Sequence, residues 1–299
     1  MRDFVGYGPH PPHPHWPGDA RLALNIVLNY EEGSEPSFED GDGSSESGLT
    51  EGGSGAFAGR DLAAESMFEY GSRVGVWRLL RLLRERAMPA TVFACAQALE
   101  RNPHVAAAIR TMELDVCSHG LRWVRAQGLT PAQERAQIAE AVASLARSTG
   151  STPAGWYCRY APTEHTRGLL VEHGGFLYDS DAYNDELPYW VPVAGRPHLV
   201  IPYSLAFNDG KFSRGALATA NDFYEFLRDG FDMLYREGAT QPRMMSVGLH
   251  MRLAGHPARA VAVERFLDHV AQHRRVWVCR RIDIARHWHA QHAVGGALP

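Results

Sequence analysis

Apolar residues follow two alternating patterns along this chain. The run Leu22-Ala23-Leu24-Asn25-Ile26-Val27-Leu28-Asn29-Tyr30 is nearly unbroken and carries β-branched members, as a strand covered on both faces does. Shorter apolar runs at 90–94, 114–117, 155–158, 176–178, 199–203, 244–249 and 276–279 also read as strands. Between them lie stretches of helical periodicity. The first, 70–86, sets Val74, Trp77, Leu80 and Leu83 on one face; others follow at 103–111, 131–148, 164–173, 221–236, 258–273 and 283–292. Thr130 before Pro131 is an N-cap ahead of a proline at the first helical position. Repeated strand-then-helix units predict an α/β fold, a parallel sheet with helices outside, as a doubly wound sheet or a closed barrel.

No internal repeat and no second domain boundary interrupts this alternation. The expected organisation is an irregular arm over 1–20, one β/α catalytic domain over 21–292 and a tail over 293–299. The arm is proline-rich, and prolines alternating with His10, His13 and His15 restrict how those rings converge. From Ser34 to Arg60 the chain is glycine, serine and acid, too long for a plain connector, and reads as a lid or a flexible loop.

Charge and cysteine usage narrow the partners. Thirty basic residues stand against 34 acidic ones, a net charge of −4, with Lys211 the only lysine and no basic stripe, so nucleic acid is not an expected partner. No apolar run approaches the roughly 20 residues of a membrane span, and the N-terminal stretch lacks a signal-type apolar segment. Cys95, Cys117, Cys158 and Cys279 are far apart with no C-x-x-C pair, which fits a reduced, cytoplasmic setting rather than a disulfide frame or zinc ribbon.

Reactive groups in parallel β/α folds collect where strands end. Here the first strand ends in Glu31-Glu32, later ones in Ser118-His119-Gly120, Arg159-Tyr160 and Asp179-Ser180-Asp181, and the strand from Met244 ends in His250. Each residue has a plain structural alternative: solvated loop acids, backbone-bonded histidines, an arginine paired with Asp179 or Asp181. Together, paired carboxylates, two histidines and an arginine on one rim suit hydrolysis.

This order of motifs resembles the polysaccharide deacetylase superfamily, whose fold is a distorted (β/α) barrel. The superfamily's T-F-D-D-G motif here reads Asn29-Tyr30-Glu31-Glu32-Gly33. Its H-[ST]-x-x-H motif, which with one aspartate holds a divalent metal, here has His119 followed four residues later by Trp123. The chain is similar over nearly its whole length to the metal-independent allantoinase branch. The segments carrying that likeness include Pro11-Pro12-His13-Pro14-His15-Trp16, Ser118-His119-Gly120-Leu121-Arg122-Trp123, Leu187-Pro188-Tyr189-Trp190 and Ser246-Val247-Gly248-Leu249-His250. It departs from that branch at 158–166 and 205–210, and in its Gly- and Ser-rich 34–60 stretch.

The resemblance implies hydrolysis of a non-peptide C–N bond in a small cyclic ureide or amide, with no cofactor. Glu31 is then the expected base for the attacking water, Arg159 the oxyanion stabiliser, and His250 the proton donor, with Asp181 on its other ring nitrogen. Glu32, His119, Trp123, Tyr160 and Trp190 are expected to contact the substrate; a residual metal, were one bound, would take Glu32 and His119. Alternatives are a metal-dependent N-deacetylase of a sugar or peptidoglycan unit and a barrel that binds without catalysis. A small-molecule substrate and a homo-oligomer complete the expected partners.

Overall fold

All nine residues of β1 (Leu22–Tyr30) are buried in the computed structural model, which describes residues 2–52 and 58–294. One edge of β1 pairs in parallel with β8 (Arg243–His250), from Leu22 opposite Arg243 to Asn29 opposite His250. The other edge is shared by β2 (Thr91–Ala94), paired along 27–30, and β9 (Val276–Val278), paired along 22–24. From β2 the parallel sheet continues through β3 (Asp115–Ser118), β4 (Gly155–Trp156), β5 (Tyr178–Asp179) and β7 (Arg196–Val200). The strand β6 (Tyr189–Val193) joins β7 antiparallel. The order is thus β6-β7-β5-β4-β3-β2-β1-β8, with β9 on β1.

The sheet curls nearly to closure. One bridge between Asn208 and Gly248, with the Gly248 N–H donating to the Phe207 carbonyl at 2.9 Å, lays the loop after β7 against β8. Gly248 permits that approach, since a Cβ there would stand 1.9 Å from the Tyr203 hydroxyl. This is the distorted (β/α) barrel that the sequence motifs imply.

Around it run α1 (Leu62–Tyr70), α2 (Val76–Glu85), α3 (Ala96–Arg101), α4 (Pro103–Thr111), α5 (Pro131–Thr149), α6 (Thr166–His173), α7 (Ala220–Glu237), α8 (Pro257–Ala271) and α9 (Arg281–Gln291). Helix α5 opens on a reciprocal Thr130–Gln133 cap and ends at Gly150 with φ 75°. The end of the barrel opposite the strand tips is filled by the arm. Trp16 is buried there against Trp277 and Trp288, and its Nε1 donates to the Arg243 carbonyl at 3.0 Å. Among the described residues no helix is long and apolar enough to cross a membrane.

Three expectations change. The face drawn on 70–86 holds for Leu80 and Leu83, which are buried, but Val74 is exposed, and α2 buries Val76 and Leu79 as well. A wider π-type turn over Gly71–Gly75 joins α1 to α2 and rotates the buried face of the second helix relative to the first. The sheet is not wholly parallel, because Ala194 and Gly195, with φ 49° and 77°, close β6 and β7 into a hairpin. The described part of the 34–60 segment is packed rather than free. Its acids Asp40, Asp42 and Glu51 pair with Arg101, Arg122 and Arg259. Residues 53–57 of that segment and 295–299 of the tail lie outside the described residues.

Candidate active site

The pairing of β1 with β8 sets Asn29 opposite His250, so Glu31 leaves the sheet two residues beyond that level, and β3 delivers His119 beside them. His119 Nδ1 donates to the Tyr157 carbonyl at 2.9 Å. That bond aims Nε2 at Glu31 Oε1, 3.3 Å away. His250 Nε2 stands 3.5 Å from the same oxygen. The other carboxylate oxygen, Oε2, accepts from Arg252 Nη2 at 2.8 Å. All four side chains are nearly excluded from solvent.

Two residues that local pattern did not single out complete this arrangement. Asp209, in the loop after β7, accepts from His250 Nδ1 at 2.6 Å and from the His250 backbone N–H at 2.7 Å. Asp209, not Asp181, therefore orients the His250 ring. Arg252, two residues past β8, bridges Glu31 and Glu32, its Nη1 donating to Glu32 Oε1 at 3.1 Å. Asp209 lies nine residues past the end of β7 and Arg252 two past β8, and no local pattern marks either.

Burial and charge set the protonation states. Burial alone would raise the Glu31 carboxyl, but His250 and Arg252 outweigh it and hold it well below the usual carboxylate range. Burial alone would lower His250, yet Glu31 and Asp209 push it up to about 9. Glu32 is pushed up by burial, which the charge of Arg252 only partly offsets. Near neutrality the floor of the site thus holds an ionised Glu31 beside an imidazolium.

The cavity above them measures about 600 Å³, within the range of small-ligand sites. Its wall includes Glu31, His119, His250, Trp123, Arg159 and Tyr160, so these expected site residues do converge. Asn29 and Asn208 also line it, each donating to the Tyr203 hydroxyl, at 3.3 and 3.2 Å. Arg159 Nη1 donates to the Trp123 carbonyl at 2.8 Å, and another of its nitrogens pairs with Glu46 of the covering segment. Its guanidinium lies 3.7 Å from the Trp123 ring centre, and that of Arg252 lies 4.9 Å from the same ring.

Three expected residues fall elsewhere. Glu32 lies beneath the cavity, held by Arg252 and by the Glu31 N–H. Asp181 accepts from the Cys158 N–H at 2.8 Å, and burial with the Asp179 charge pushes its carboxyl up to about 7. Trp190 is on β6, where its Nε1 donates to the His292 carbonyl at 2.7 Å and its ring meets His289. Neither Asp181 nor Trp190 reaches the cavity wall.

The donor set does not fit a metal ion. Glu32 presents Oε1 to two Arg252 donors and Oε2 to the Glu31 N–H. The indole of Trp123, at the place of the second histidine ligand, has no lone pair to give. The fixed guanidinium of Arg252 also supplies positive charge between the two acids.

Residues 60–174 match the family model for polysaccharide deacetylase. A Schizosaccharomyces pombe protein bearing the polysaccharide deacetylase name is 37% identical over 97% of this chain and 98% of its own length. The crystal structure of a probable polysaccharide deacetylase from Pseudomonas aeruginosa PAO1 is 51% identical, with TM-score 0.94 over 98% of this chain and 99% of that one. The crystal structure of Puue allantoinase is 49% identical, with TM-score 0.94 over 98% of both chains.

Proposed function

Since the chain belongs to the polysaccharide deacetylase family, whose members hydrolyse C–N bonds, we propose that it opens a small cyclic ureide or amide by carboxylate-assisted attack of water. The reading rests on one observation: Glu31 Oε1 faces His119 and His250 at the floor of a cavity of about 600 Å³, with Oε2 neutralised by Arg252. The likeness to Puue allantoinase adds support.

Oε1, the carboxylate oxygen turned toward His119 and His250, accepts a proton from a water placed above it. Acid–base assistance of this kind contributes roughly 10²–10⁴ in rate. His250, protonated at neutral pH and oriented by Asp209, donates its Nε2 proton to the departing nitrogen. Arg159, which lines the cavity with its guanidinium held by Trp123 and Glu46, stabilises the carbonyl oxygen that takes up negative charge. The Trp123 wall keeps the floor dry, which strengthens each of these charges. Water adds to the carbonyl carbon, the ring C–N bond breaks, and the products are a carboxylate and a protonated or neutral nitrogen.

A second reading, removal of an acetyl group from an acetamido sugar, is favoured by the names of the Schizosaccharomyces pombe and Pseudomonas aeruginosa relatives. A panel of cyclic ureides, cyclic imides and acetamido sugars separates the two. Ring opening of a cyclic ureide is expected, with Glu31→Gln and His250→Ala each slowing kcat by about 10²-fold or more. Turnover of acetamides alone establishes the second reading, and wild-type rates in either variant remove that residue from its role.

A further inference from the structure

On the outer surface, away from the cavity, α7 and α8 bring together an aspartate and two histidines that the reaction does not use. We propose that Asp232, His269 and His273 form a zinc site that clips these two helices together. The three donor atoms lie within 4.8 Å of one another. His269 Nε2 stands 2.8 Å from Asp232 Oδ1, and His273 Nε2 stands 4.0 Å from the same oxygen.

The two histidines are four residues apart, and although His273 lies two residues past α8 its ring centre stands 4.6 Å from that of His269. His273, just past the end of α8, donates Nδ1–H to the His269 carbonyl at 2.9 Å. That bond fixes the tautomer and leaves Nε2 with its lone pair toward Asp232, as an outer hydrogen bond does for a ligating histidine. Aromatic rings hold both imidazoles: Phe231 packs edge-on to His269 and His273 at 5.5 and 5.0 Å, and Tyr235 meets His273 at 5.1 Å. The Tyr235 hydroxyl is itself tied to the Arg274 carbonyl at 2.6 Å.

Ligands bonded to a tetrahedral ion at about 2.0–2.1 Å lie about 3.4 Å apart. The Asp232–His269 pair therefore opens by about 0.6 Å and His273 closes by a similar amount, movements that side-chain torsions absorb. The side chains keep 36%, 16% and 24% of their surface exposed, so water fills the remaining position. Two imidazoles and one carboxylate select zinc or a neighbouring first-row ion over calcium and magnesium, which demand oxygen shells. Without metal, His269 Nε2–H donates to Asp232; ligation requires that nitrogen bare, so the ring adopts the Nδ1–H tautomer on binding.

Titration calorimetry of zinc chloride into chelator-stripped full-length protein tests this. One equivalent is expected to bind and to raise the melting temperature. His269→Ala, His273→Ala and the near-isosteric Asp232→Asn should each weaken binding by at least about 10–100-fold and abolish the melting shift. A His10→Ala, His13→Ala, His15→Ala triple variant removes the competing arm histidines and should leave the site intact. Zinc binding unchanged in the first three variants, lost only in the arm variant, or absent from the wild type overturns the proposal.

Discussion

At the scale of single residues, the site is a problem in holding charge. Glu31 meets two imidazoles and a guanidinium, and His250 meets two carboxylates, so each is stable only in its charged form. His250 is raised from its ordinary 6.5 to about 9, so its stabilising contribution is complete below pH 6.5 and fades as pH rises through 9. That contribution is at most about 3 kcal/mol. In the proposed mechanism the same proton serves the leaving nitrogen, so kcat should hold level through neutrality and fall on a single limb near pH 9. Replacing Asp209 with Asn removes one of the two anions that raise His250. The expected result is a limb shifted downward by about a pH unit or more, measured as log kcat against pH; an unmoved limb would assign it to another group. Glu31, His119, Arg159 and His250 were legible because each lies at the end of a strand. Asp209 and Arg252 were not, because their partners lie 41 and 221 positions away and nothing local marks them. Asp181 misled for the complementary reason: a strand-end position does not say which neighbour the side chain turns toward.

At the scale of elements, the helices and buried strands follow from periodicity, whereas the places where backbone touches backbone do not. The wide turn joining α1 to α2 is such a place. A Cβ on Gly75 would stand 2.1 Å from the Met251 carbonyl, and one on Gly71 would stand 2.6 Å from Glu32 Oε1. These glycines let the turn lie directly on the segment that carries Arg252. Gly75→Ala should therefore push that segment outward, costing about 1–3 kcal/mol in denaturant unfolding and lowering kcat by a larger factor than KM. A variant with full stability and full activity would show the contact to be compliant. The hairpin of β6 and β7 was missed because its turn, Ala194-Gly195, lacks the usual Asn or Asp ahead of glycine. The most hidden element contact is Arg281, fully buried at the start of α9. Its guanidinium bonds Asn25 at 2.9 Å, Ser246 at 2.9 Å and Ser180 at 2.9 Å, plus the carbonyls of Ile201 and Pro202. One arginine thus ties β1, β8 and the segments after β5 and β7 across the barrel interior. Arg281→Met, though similar in length, strands these groups and should destabilise by about 3 kcal/mol or more. A loss under about 1 kcal/mol in urea unfolding would mean that water replaces it.

At the scale of the whole molecule, charge is distributed against the overall balance. The chain carries a net charge of −4, yet Arg125, Lys211 and Arg214 all line the cavity mouth. Among the described residues none of the three has a carboxylate within salt-bridge distance, and Lys211 instead lies 5.2 Å from the Phe226 ring. The proposed ring opening would turn a neutral ureide into a carboxylate, so the charge would appear only as product forms. Cations at the rim then attract the product more than the substrate. Exposed charges of this kind are worth about 0.2–1 kcal/mol each. The double variant Lys211→Gln, Arg214→Gln should therefore raise the inhibition constant of the ureido-acid product roughly two- to tenfold while leaving kcat on the neutral substrate nearly unchanged. Added salt at about 0.5 M should produce the same weakening in the wild type and little further effect in the double variant, because the Debye length has by then shrunk to about 4 Å. Product inhibition insensitive to both salt and substitution would place the new carboxylate deeper, against Arg159, whose pairing with Glu46 and burial against Trp123 shield it from bulk ions.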